Sequence, residues 1–191
     1  MKKCEFLKKT VTFLGHVLCN GQIQPSTEKK EAIKKFPEPK SVKQLQSFLG
    51  LAGYFRKFVP DFAKLARPLT ELTKKDVPYK FSLVEREAFE ILKNCLCCEP
   101  VLRIFHPQLE TQLHTDASKD GFGACLMQKD LEDDRFHPVF YLSFKTTASA
   151  EKLSSYELEV LAIVRALNKL RAYLLGIKFT TITDCKAFDS R

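Results

Sequence analysis

Asp116, Glu159 and Asp184 are the residues of this sequence whose types and surroundings best fit chemistry. Asp116 falls within or at the end of a β-prone run, Leu113–Ser118, between the small residues Thr115 and Ala117. Asp184 ends a second such run, Lys178–Thr183, which is rich in β-branched residues. Glu159 lies in the first turns of a long amphipathic segment, beside Leu158 and Leu161. If the two strands are sheet neighbours and the helix packs across them, the three carboxylates converge on one edge. Such a cluster repels itself unless cations fill it. Hard oxygen donors that leave coordination positions open suit Mg²⁺ or Mn²⁺. Two such ions about 4 Å apart activate a water and stabilise the leaving oxygen in phosphodiester hydrolysis. Spacing alone leaves plainer roles open. An Asp at a strand end often forms a turn or caps a helix, and both Glu157 and Glu159 fit a solvated helix face.

The elements that must position these groups are legible in outline. Leu113–Ser118 reads as a strand, residues 121–123 (Gly-Phe-Gly) as a turn, and Ala124–Gln128 as a second strand. Lys129–Arg135 is a charged turn, and Pro138–Ser143 a third strand. A helix starts at Ser154 or Ser155 and carries Leu158, Leu161, Ala162, Val164, Leu167 and Leu170 towards Gly176, a glycine placed to end it. Lys178–Thr183 is then the fourth strand. Three strands on short turns, a helix and a fourth strand make an α/β module with a mixed sheet.

The first hundred residues have a different character. Lys9–Gln24 reads as a β-hairpin about Asn20-Gly21. A short helix over Glu28–Phe36 follows, closed by Pro37-Glu38-Pro39. Ser41 opens a second helix with Gln44 as a capping-box partner, and Leu45, Phe48, Leu49, Ala52, Phe55 and Phe58 form its apolar stripe up to Pro60. Leu65–Thr73 is a shorter helix, and Ser82-Leu-Val-Glu85 caps another that runs to about Cys97. Glu99-Pro100 is the expected linker. The whole is therefore an α+β chain: a hairpin and helices, then the mixed sheet.

Charge divides the same way. Residues 1–100 hold 19 Lys and Arg against 11 Asp and Glu, whereas residues 101–191 hold 12 of each. A basic module that holds a polyanion, joined to a neutral one, fits this balance as well as a Lys-rich solvated surface does. No run of 18 apolar residues offers a membrane span, and Met1–Glu5 lack the apolar stretch of a secretory signal. The seven cysteines form no zinc-binding spacing, which points to reduced, partly buried thiols in an intracellular protein.

Longer motifs carry a family resemblance. Leu113-His-Thr-Asp-Ala-Ser118 with Gly121-Phe-Gly-Ala-Cys-Leu126, Tyr156-Glu-Leu-Glu-Val-Leu-Ala-Ile-Val-Arg-Ala-Leu167, Arg171-x-Tyr-Leu-Leu-Gly176 and Phe179-Thr-x-Ile-Thr-Asp-Cys-Lys-Ala187 are similar to the ribonuclease H region of gypsy-class LTR-retrotransposon polyproteins. Upstream, Thr12-Phe-Leu-Gly-His16, Ser47-Phe-Leu-Gly-Leu-x-Gly-Tyr-Phe-Arg-Lys-Phe58 and Ala66-Arg-Pro-Leu-Thr-x-Leu72 resemble the end of the reverse transcriptase palm, the thumb and the connection. The resemblance implies residues 1–24 as the end of the palm, 25–100 as helical thumb and connection, and 101–191 as a ribonuclease H-like domain that is C-terminally truncated.

It also implies roles. Asp116, Glu159 and Asp184 match three of the family's four metal-binding carboxylates. Glu159 is preferred to Glu157 because the family's glutamate directly precedes a run like Val160-Leu-Ala-Ile-Val164. The cofactor implied is two Mg²⁺ or Mn²⁺ ions, and the reaction is hydrolysis of RNA in an RNA–DNA hybrid. Phe13, Leu14, Gly15 and His16 match the region that grips a primer terminus. Lys43, Gln44, Arg56 and Lys57 become phosphate contacts, with Ser118 a further nucleic-acid contact. The partners expected are RNA–DNA hybrid, primer–template and the remaining parts of a polyprotein. The location expected is a cytoplasmic retroelement particle or the nucleus.

Departures from the family pattern set limits. A polymerase site needs a Tyr-x-Asp-Asp type doublet, and the sole Asp-Asp pair, Asp133-Asp134, sits in a charged turn. DNA synthesis by this chain alone is excluded on that ground. The fourth carboxylate and a nearby histidine are expected beyond residue 191, and His114 is expected to point away from Asp116. A non-catalytic nucleic-acid-binding remnant is the alternative expectation.

Overall fold

A computed structural model describes residues 7–98, 101–118, 121–147, 150 and 153–184. The Met1–Glu5 start, the Glu99-Pro100 linker and residues 185–187 of the last motif lie outside them. Two four-stranded sheets organise the chain. The first holds β1 (Thr10–Phe13), β2 (His16–Cys19), β3 (Gln22–Pro25) and β4 (Leu102–Arg103) in that order, all antiparallel. The expected hairpin is thus a three-stranded meander with a second turn at Leu14-Gly15, which pairs Phe13 with His16. Leu14 there has φ 48° and Gly15 φ 73°. An L residue in the left-handed region costs roughly 1–2 kcal/mol, and leucine carries no turn signature.

Five helices follow: α1 (Thr27–Lys34), α2 (Val42–Tyr54), α3 (Phe62–Leu65), α4 (Arg67–Glu71) and α5 (Leu83–Cys97). Ser41 caps α2 by accepting from Gln44 N–H at 3.3 Å, while the Gln44 side chain reaches back to Lys40 N–H at 2.7 Å. The α2 helix ends at Tyr54, and Arg56–Phe58 forms a separate 3₁₀ turn, so the single helix expected to Phe58 is broken. The helix expected over Leu65–Thr73 likewise appears as α3 and α4, which meet at Ala66. At α5 the capping box is complete, with Glu85 accepting from Ser82 N–H at 2.9 Å. Phe48, Phe55, Phe89, Leu92 and Leu96 fill the core between these helices, with Phe48 and Phe89 rings 4.5 Å apart. Each large side chain buried there contributes about 1.5–3 kcal/mol.

The second sheet runs β7–β6–β5–β8, from β5 (Thr111–Ser118), β6 (Gly121–Lys129), β7 (Phe136–Lys145) and β8 (Thr180–Thr183). β5, β6 and β7 are antiparallel neighbours, and β8 joins parallel to β5. This is the mixed sheet expected, with one change: residues 121–123 belong to β6 and are not a turn. Helices α6 (Ser155–Lys169) and α7 (Arg171–Leu174) cover its inner face. Leu113, Leu126, Ala166 and Leu170 meet there, and Phe122, Leu158 and Ala162 form a smaller group. Thr111, Leu113 and Thr115 point into this core, so Gln112, His114 and Asp116 share the opposite face. His114 therefore lies on the side of Asp116, because strand side chains repeat every two residues.

The helical unit packs on that opposite face. Arg56 donates to Ser143 O, and Ala63 N–H donates to Ser143 Oγ at 2.8 Å. Among the described residues no helix is long and apolar enough to cross a membrane. Five described cysteines, at 19, 95, 97, 98 and 125, are unpaired thiols. Asp133-Asp134 lies in the β6–β7 turn, where Asp133 pairs with His137 and Asp134 with Lys129.

Candidate metal centre and nucleic-acid surface

The parallel register Thr115↔Thr183 brings the next residues of β5 and β8, Asp116 and Asp184, out at the same level of the sheet. Glu159 faces them from the second turn of α6. Oxygens of the three carboxylates all lie within 4.8 Å of one another. Asp116 and Asp184 are open to solvent, whereas Glu159 is 8% exposed. Glu159 Oε1 accepts from Ala117 N–H at 3.3 Å, and Oε2 accepts from Thr183 Oγ1 at 3.4 Å. It therefore bridges both strands. Burial, then the charges of Asp184 and Asp116, raise the Glu159 carboxyl above its ordinary range, against these two hydrogen bonds. Three oxygen donors, one of them buried and repelled by the others, suit a divalent cation well.

Glu157, two residues earlier, is engaged elsewhere. Its carboxylate accepts from Ser154 N–H and Oγ, both at 2.8 Å, in the capping box of α6. Asp116 and Asp184 line a cleft of about 510 Å³, with Pro60, Asp61, His114 and Tyr141 among its other walls. Asp61 went unnoticed in the sequence. It stands in the left-handed region at φ 50°, which no local propensity announces, and its carboxylate does not cap α3. Instead Oδ1 lies over Gly123, 2.7 Å from where a Cβ would stand. Gly123 is the cross-strand partner of Asp116, so the helical unit brings a further carboxylate to the same cleft.

The expected nucleic-acid contacts lie in different settings. Phe13 and Leu14 project from the β1–β2 turn, 63% and 68% exposed, with Gly15 and buried His16 behind them. Lys43 is exposed on α2. Gln44 serves the helix start, as described. Arg56 is tied to Ser143 and lies over the Phe62 ring, 5.6 Å from its centroid. Lys57 lies 5.2 Å from the Phe58 ring centroid, where burial lowers its ammonium below the ordinary range. Ser118 donates to Gly121 O at 3.1 Å, closing the β5–β6 connection.

Comparison with known proteins bears on these features. Residues 81–181 match the family described as "RNase H-like domain found in reverse transcriptase". The chain is 38% identical over 185 residues to the retrovirus-related Pol polyprotein from transposon 297 of Drosophila melanogaster, covering 96% of this chain and 17% of that one. It is 38% identical over 184 residues to the transposon Tf2-3 polyprotein of Schizosaccharomyces pombe, covering 95% and 14%. It thus spans about a sixth of the length of these relatives. Among solved structures, the foamy viral protease-reverse transcriptase in complex with RNA/DNA hybrid superposes with TM-score 0.81 at 25% identity, covering 95% of this chain and 25% of that one. The same protein in complex with dsDNA gives 0.80 at 25% identity, covering 95% and 38%. The relatives are transposon Pol polyproteins, as the gypsy-class resemblance implies, and the chain belongs to the family of RNase H-like domains found in reverse transcriptase.

Proposed function

We propose that this chain is the thumb, connection and ribonuclease H portion of a retrotransposon reverse transcriptase, and that it cuts the RNA strand of an RNA–DNA hybrid. The convergence of Asp116, Glu159 and Asp184 carries the reading. In this reading these carboxylates would hold two Mg²⁺ ions, which would supply water activation and charge neutralisation at the leaving oxygen. The protein's share is positional. Glu159, fixed through Ala117 and Thr183, sets the depth of the site, and Asp116 and Asp184 face the substrate side. Residues 1–24 and 25–100 hold the nucleic acid, with Phe13 and Leu14 at the primer terminus and Lys43 against phosphate. Residues 101–191 cut it, apart from the short β4 strand that completes the first sheet. The foamy viral protease-reverse transcriptase, which shares this fold, is solved in complex with dsDNA and with RNA/DNA hybrid, which supports these partners. The reading also carries an intracellular location, in a retroelement particle or the nucleus.

The test is a labelled RNA–DNA hybrid incubated with the chain in Mg²⁺ and then Mn²⁺, beside Asp116→Asn. Cleavage of the RNA strand alone is expected, reduced at least about 100-fold in the variant, the scale seen when one element of charge stabilisation is removed. Salt-sensitive binding with no cleavage in either metal sinks the hydrolytic reading and leaves a binding role.

A further inference from the structure

The charges of α6 are divided along its length. Glu157 and Glu159 stand in its first turns, whereas from Val160 to Lys178 the chain holds Arg165, Lys169, Arg171 and Lys178 and no Asp or Glu. Lys169, in the last turn, complements the helix dipole. Arg165 lies a turn earlier, where that field has faded, and needs another reason. It is half-buried, yet among the described residues no carboxylate pairs with it. Its guanidinium lies instead over the Phe122 ring, 5.1 Å from the centroid.

Beside it is a cavity of about 490 Å³ lined by Phe144, Arg165, Asn168 and Lys169. Phe144 is the cross-strand partner of Phe122 and belongs to β7, the edge strand of the second sheet. The acids stand towards the other edge, on β5 and at the end of β8, and their cleft shares no residue with this cavity. Arg165 and Lys169, one helical turn apart, supply two cations that suit a phosphate. Asn168 adds an amide that both donates and accepts. The half-buried Phe144 ring offers nothing to a phosphate, but aromatic faces are where the bases of unpaired strands stack. A base inside a duplex has both faces covered by its neighbours and cannot enter such a cavity.

We infer that this cavity binds one nucleotide of an unpaired strand, its phosphate on Arg165 and Lys169 and its base against Phe144. The site goes beyond hybrid cleavage, because none of its residues belongs to the acid cluster. Phe122, 2% exposed, fixes the guanidinium on one side, so little freedom is lost when a phosphate arrives.

The test uses the whole chain with EDTA present, and magnetic resonance signals at the cavity itself, so that binding elsewhere on the basic helices is not counted. A short oligothymidylate should shift the amides of Arg165, Asn168 and Lys169 and move the Phe144 ring protons upfield, as stacking does. Arg165→Gln should weaken this binding about tenfold, the scale of one charge-assisted hydrogen bond. It should also lower the salt slope by about 0.7, the value of one single-strand phosphate. Phe144→Leu should weaken binding at least about fivefold, the lower end for a lost base stack, with the salt slope unchanged. The ring shift is read in the unmutated chain, so it decides the stacking even if Phe144→Leu unfolds. Thymidine monophosphate acting as strongly as the strand upholds the site and makes the free nucleotide its ligand. Inorganic phosphate or an acidic peptide shifting the same amides as strongly, with the Phe144 ring unmoved, overturns the inference in favour of a general anion surface. A blunt duplex as effective as the single strand also overturns it, as do silent signals with every probe. None of these readings depends on whether the hybrid is cut.

Discussion

In the first two turns of α6 the carboxylates of Glu157 and Glu159 meet entirely different partners. Glu157 closes a capping box on Ser154, and Glu159 is buried against β5 and β8 beside two other acids. Removing the charge at each should separate the two roles. Glu157→Gln is expected to leave stability close to wild type, because glutamine also closes a capping box, while Mg²⁺ still raises the melting temperature. Glu159→Gln should abolish the Mg²⁺-dependent rise, since binding to the folded state alone is what stabilises it. Melting curves with and without Mg²⁺ decide this, and a persistent rise in Glu159→Gln removes it from the metal centre. Periodicity could not choose between these residues in the sequence, because both fit a helix face. The choice came from family resemblance, and the capping box now supplies a physical reason.

At the scale of elements, the helical unit meets the second sheet at a close approach beside Asp116 that the sequence hid. β6 begins at Gly121, and residues 121–123, with two glycines, look like a turn while being strand. Gly123 lacks a side chain where the Asp61 carboxylate comes within 2.7 Å of a Cβ position. Gly123→Ala should therefore push the Pro60-Asp61 corner away and cost roughly 1–2 kcal/mol, as overpacking does. Asp61→Ala in the same chain should recover most of it, giving a coupling above about 0.5 kcal/mol in a double-mutant cycle. Additive effects would mean that the corner yields freely. The strands themselves were legible from alternation and turn residues, as were the helix starts from their capping boxes. The Leu14-Gly15 turn and the Asp61 corner were not, because long-range contacts hold them and no local propensity announces them.

For the whole molecule, Ser143 on β7 is where the helical unit meets the second sheet. It is 4% exposed and accepts from Ala63 N–H, while its carbonyl accepts from Arg56. Nearby, Lys145 reaches Thr70 and Glu71. Ser143→Ala leaves the Ala63 N–H buried and unpaired, at a cost of about 1–3 kcal/mol. Calorimetry should show the single wild-type transition broaden or split as the two units uncouple. An unchanged transition would place their cohesion in the apolar contact around Tyr141, which packs against the helical core.

The pairing of β3 with β4 joins Gln22 to Arg103 and Ile23 to Leu102. Its partners are some eighty residues apart along the chain, so the first sheet cannot close until residue 103 has been made. At about 5–20 residues per second, the outer edge of β3 waits roughly 4–16 s for its last strand after it is synthesised. An unpaired strand edge is a template for joining other chains. The ribosome therefore releases the helical unit before its sheet is sealed, and the yield of folded protein should improve when synthesis through residues 26–103 is fast.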